Sequence, residues 1–88
     1  MELLSDEARW GRLIRAVRES QLFITQAELA ARIVELAAEA GVEITIDQST
    51  VSRWENGDHA PALKARRFVA AALGLEPAVL FQRAEAVA

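Results

Sequence analysis

Apolar side chains recur every three or four residues along most of this chain, a period that only a helix turns into one continuous face. Trp10, Leu13, Ile14 and Val17 form one such stripe, and Leu29, Ile33, Leu36 or Ala37, and Ala40 form another. A period of two occurs only at Val42-Glu43-Ile44-Thr45-Ile46. That run is too short to found a sheet and reads as an extended connector with Val42, Ile44 and Ile46 turned inward. The chain is 52% hydrophobic but only 6% aromatic. Alanine supplies much of the difference, and Ala, Leu, Glu and Arg all favour helix. The expected class is all-α.

Capping signals divide the chain into five helices. Ser5 or Asp6 can cap a first helix over about residues 7–21, with Asp6 and Glu7 at the positive end of its dipole. Thr25-Gln26-Ala27-Glu28 fits a capping box, so a second helix runs from there to about Ala40, with Gly41 as a left-handed stop. Asp47 caps a short third helix over 48–55, closed by Asn56-Gly57. Pro61 is expected to open a fourth helix to about Leu73, ahead of Gly74, and Pro77 a fifth through about Arg83, with a fraying tail over 84–88. Eighty-eight residues allow a single domain, with a core over about 7–83.

The composition also excludes chemistries. Without cysteine there is no disulfide framework, thiol nucleophile or Cys-ligated metal. The lone His59 has no flanking carboxylates at ligand spacing, so neither a metal nor a cofactor is expected. No Ser/His/Asp set, carboxylate pair or glycine-rich phosphate loop appears, and the chain does not read as an enzyme. No apolar run approaches the roughly 18 residues of a membrane span, and the acidic start lacks the basic region of a signal peptide. A cytoplasmic domain is expected.

Three local patterns follow one another in order. They are Thr25-Gln26-Ala27-Glu28-Leu29-Ala30, then Ser49-Thr50-Val51-Ser52-Arg53-Trp54-Glu55-Asn56-Gly57, then Pro61 with Val69-Ala70-Ala71-Ala72-Leu73-Gly74-Leu75. Together they resemble the lambda-repressor-like (XRE-type) helix-turn-helix family over roughly residues 13–81. The resemblance implies a compact five-helix helix-turn-helix domain that regulates transcription, repressor-like, by binding double-stranded DNA as a homodimer. It makes the helix over 48–55 the recognition helix and implies a partly buried pair between Glu55 and Arg18. The residues themselves agree with a reading face. Val51 and Trp54 fall on one side of that helix, while Gln48, Ser49, Ser52 and Arg53 fall on another, and amide, hydroxyl and guanidinium groups suit base edges. The helix start at Thr25 and Gln26 suits a phosphate. The candidate DNA-binding residues are therefore Thr25, Gln26, Gln48, Ser49, Thr50, Ser52, Arg53, Asn56 and His59. His59 reads otherwise as a surface loop residue.

Charge and spacing depart from that family. Ten basic residues face thirteen acidic ones, for a net charge of −3, where a nucleic-acid binder usually shows the reverse. Eighteen residues separate Ala30 from Ser49, about ten more than a three- to four-residue turn requires. The surplus forms an inserted arm over about 34–46, and with Asp47 it carries Glu35, Glu39 and Glu43. Removing those four acids would turn −3 into +1. The arm is expected to point away from DNA or to face a basic partner. It supports the alternative of an antitoxin- or antirepressor-like interaction module. Asp58 stands where the family often has a base. The connection from Glu19 to Ile24 is about one residue longer than usual for the family and unusually apolar, and Phe23 is expected to fill space against the second helix. Dimer-surface candidates are the long second helix and the last helix with Leu80, Phe81 and Val87.

Overall fold

The computed structural model describes residues 4–83. Its elements are α1 (Asp6–Val17), a π-helical turn (Arg18–Leu22), α2 (Gln26–Glu39), α3 (Gln48–Glu55), α4 (Leu63–Leu73) and α5 (Pro77–Leu80), with no strand among the described residues. The protein is all-α with five α-helices, as expected. Three helix starts follow the predicted chemistry. The Ser5 hydroxyl accepts from the Ala8 N–H at 3.1 Å. Thr25 accepts from the Glu28 N–H at 3.0 Å, while the Glu28 carboxylate accepts from the Thr25 N–H at 2.8 Å. The Asp47 carboxylate accepts from the Thr50 N–H at 2.9 Å.

One core joins the helices. Ile14, Leu29, Ile33, Ala37, Val51, Val69 and Leu80 are fully enclosed, with Trp54, Phe68 and Leu73 beside them. Leu13 and Leu36 are half-buried against this core, and Ala40 is exposed. Helix α2 packs on both α3 and α4, and α1 packs on α3 and α5. The connector behaves as its alternation implied: Ile44 is buried, Val42 and Ile46 pack against the core, and Glu43 and Thr45 face outward. The inserted arm is thus the end of α2 plus a return strap folded against the core.

Four expectations change. The first helix does not stop at Gln21 as an ordinary α-helix. Its last five residues widen into a π-turn, in which the extra residue of the link is absorbed. The turn ends on Phe23 in the left-handed region, with φ of 55°. That conformation turns its ring outward, and Phe23 is 80% exposed, not packed on α2. Leu22 and Ile24 take the inner positions instead. Pro61 does not open α4. It is a buried plug two residues ahead of Leu63, and its carbonyl accepts from Arg66 Nε at 2.9 Å. Helix α5 ends at Leu80; two residues on, the Gln82 carbonyl accepts from Trp10 Nε1 at 2.9 Å and from Arg9 Nη2 at 3.2 Å.

The same clasp uses residues expected on a dimer surface. Leu80 is 1% exposed within the chain's own core. Phe81 meets Trp10 edge to face at 5.2 Å, and the Arg66 guanidinium lies over both rings. Leu80 thus belongs to the core, while Phe81 is half-buried. Val87 and the tail over 84–88 lie outside the described residues.

Candidate nucleic-acid interface

The short helix α3 has a sharply divided surface. Val51, Trp54 and Glu55 are buried, while Gln48, Ser49 and Arg53 are exposed and Ser52 is half-exposed. Trp54 is a core residue. Helix α1 holds the inner side of α3 at very short range. Gly11 lies against the backbone of Trp54 and Glu55, so near that a methyl group on it would overlap the Trp54 carbonyl oxygen.

A polar relay crosses the interior to the same helix. Glu55 accepts from Arg18 Nε at 2.6 Å and from Arg18 Nη2 at 2.9 Å, a two-point contact between nearly enclosed groups. The hydrogen bonding that the Arg18 guanidinium donates to Glu55 holds it above its ordinary pKa, although burial pulls the other way. Arg18 Nη1 also donates to the Ile24 carbonyl at 2.9 Å, which ties down the link after the π-turn. Gln26 donates from Nε2 to Glu55 at 2.9 Å, and its Oε1 accepts from Gln48 Nε2 at 2.6 Å. The Arg18–Glu55 pair implied by the resemblance is present. The bridging role of Gln26 was not foreseen: its amide joins the starts of α2 and α3.

The other candidates fall into distinct places. Thr25 is exposed beside Gln26, but its hydroxyl is engaged in the capping box. Gln48 and Ser49 open α3 next to them. The Thr50 hydroxyl donates to Asp47 at 2.9 Å on the half-buried flank of α3, so this residue serves the helix start. These contacts with Thr50, assisted by the charge of Arg53, hold the Asp47 carboxyl below its ordinary range. Asn56 is exposed at the C-terminal end of α3. His59 is exposed in the following loop and shares a cleft with Arg53. Arginines recur every three residues along α1 and into the π-turn: Arg9 pairs with Asp6, Arg15 with Glu19 at 3.2 Å, and Arg18 with Glu55, which leaves Arg12 without an ion pair among the described residues.

The acidic segment is not wholly remote from α3. Glu35 and Glu39 stand exposed on α2, but Asp47 caps α3 and Glu43 lines the cleft beside it. That cleft, about 790 Å³ in volume, lies between the connector, the Thr50–Arg53 flank of α3 and the stretch from His59 to Ala65. No sequence signal marked it, because three separate segments form its walls. Among the described residues no three His, Cys, Asp or Glu side chains converge as a metal site, and no helix is long and apolar enough to cross a membrane.

A helical domain with a braced, outward-facing polar helix is the class these features define. The chain belongs to the SP15 N-terminal domain family, which it matches over residues 13–79. No curated protein and no solved structure matches it significantly.

Proposed function

We propose that this chain is a cytoplasmic transcriptional regulator that binds a specific double-stranded DNA sequence through a lambda-repressor-like helix-turn-helix, acting as a homodimer. The observation that carries this reading is α3: its inner face is fixed by Gly11, Trp54 and Glu55, and its outer face presents Gln48, Ser49 and Arg53. An α-helix is about 10–12 Å across with its side chains, which suits the width of a major groove. Gln48 enters that groove already oriented by Gln26, and Arg53 supplies the bidentate donor that guanine accepts. Thr25 and the first turn of α2 stand next to this end and suit a backbone phosphate. Ser52 and Asn56 extend the contact along α3, and His59 reaches the backbone from the loop.

Selection of bound duplexes from a random library tests the proposal. An enriched motif with two-fold symmetry is expected, with binding that weakens as salt rises. Arg53→Ala should lose preference at one position of each half-site, worth about 1–3 kcal/mol, while melting at the wild-type temperature. A library that returns no motif rejects the reading.

A further inference from the structure

The connector over 43–46 is one wall of the cleft beside α3. Its side chains alternate outward and inward, as those of a strand do. Yet none of its four N–H groups or four carbonyls has a hydrogen-bond partner among the described residues. It is a sheet edge without a sheet. The floor of the cleft is apolar, with Ile44, Ile46 and Trp54, and the opposite rim carries three groups of basic type: Arg53, His59 and Lys64.

We infer that this cleft is a docking groove for an extended acidic segment of a partner protein, which adds as a strand along residues 43–46. Each feature selects that occupant. Unpaired backbone donors and acceptors together ask for another polypeptide backbone. A DNA strand offers its phosphates only as acceptors, which leaves the carbonyls of 43–46 without donors. The apolar floor takes every second side chain of an extended peptide, and the side chains between them reach the rim. Carboxylates there meet Arg53, His59 and Lys64. Glu43 is the one acid in the lining, and it disfavours acidic residues at its own end of the groove.

The groove has a regulatory consequence that rests on the DNA-binding reading. Arg53 belongs both to the outward face of α3 and to the rim, so a seated peptide withdraws it from a base pair. Peptide and operator then compete. The docking itself does not depend on that reading.

The test is a titration of the full chain with a blocked eight-residue peptide of alternating valine and glutamate, followed by amide NMR in the absence of DNA. Saturation below about 1 mM is expected. Strand addition engages every second residue of an edge, so the amides of 43 and 45, or those of 44 and 46, should gain exchange protection while the alternate pair does not. The His59→Glu, Lys64→Glu double variant changes two exposed positions and should bind at least tenfold more weakly, with its melting temperature retained. A valine–lysine peptide that binds the wild type as well as the valine–glutamate peptide overturns the proposal, as does binding that leaves the amides of 43–46 unprotected. In a second arm, a duplex from the selection is displaced by the peptide. Docking without any DNA binding rejects the regulator and keeps the groove. DNA binding that the peptide does not disturb rejects the competition.

Discussion

Replacing Gly11 by alanine pits two effects of opposite sign against each other. In the interior of an ordinary helix the change gains about 1 kcal/mol, because glycine is the poorer helix former. At this position the added methyl would overlap the Trp54 carbonyl oxygen and stand 3.0 Å from its carbonyl carbon and 3.2 Å from that of Glu55. All three are main-chain atoms of α3, which no rotamer change can move aside. The helices must part, and overpacking of that kind costs about 1–3 kcal/mol or more. Because the obstacle is backbone, the upper part of that range applies, and the net loss is about 2 kcal/mol. For a domain of this size that lowers Tm by about 8–16 °C. Thermal and urea denaturation of Gly11→Ala against wild type measures it. A variant that melts at or above the wild-type temperature would show that α1 and α3 are not in such contact, and the bracing of α3 would lose its basis.

Further outcomes follow from the relay, the π-turn and the cap. Glu55→Ala leaves Arg18 buried with only the half-exposed Glu19 carboxylate, 3.4 Å away, as counter-charge, and should cost about 3 kcal/mol in urea denaturation, whereas Arg18→Met with Glu55→Leu should recover most of that loss. Phe23→Gly removes a bulky residue from the left-handed region, a relief of about 1–2 kcal/mol, against roughly 0.5–1 kcal/mol for glycine's greater freedom in the unfolded chain. A small rise in Tm is therefore expected, and a fall of several degrees would mean that the exposed ring has a partner within the domain. The Asp47 carboxyl is lowered from 3.8 by Thr50, so its contribution to stability is full above that value and is lost as pH falls through the folded value. Asp47→Asn should melt at a lower temperature near neutral pH and converge on wild type in acid; a constant gap down to low pH would contradict the cap.

What could be read in the sequence was local. Ser5, Thr25 and Asp47 lie three residues from the N–H groups they cap, so their roles depend on nothing distant. The connector's inward residues were legible from alternation alone. The Arg18–Glu55 pair became visible only through the family resemblance, since it spans 37 residues. Gln26 lies 22 residues from Gln48 and 29 from Glu55, and its bridge depends on how α2 and α3 cross, which no periodicity encodes. Gly11 carries no signal either, because a lone glycine inside a helical stretch reads as merely tolerated. Phe23 misled because an apolar residue in an apolar link ordinarily packs inward, and here the backbone conformation decided its direction.

The relay also divides α3 into positions that can change and positions that cannot. Ser49 and Arg53 are exposed and take no part in it, so substitutions there leave the fold intact. Gln48 is bound through Gln26 to the Glu55–Arg18 pair, and altering it releases a hydrogen-bond acceptor in the relay. On the proposed DNA-binding reading, variants that diverge from this chain by single steps would acquire new recognition at 49 and 53 while keeping 48 constant. The repertoire open to such a lineage is set as much by the interior wiring as by the surface that meets a ligand.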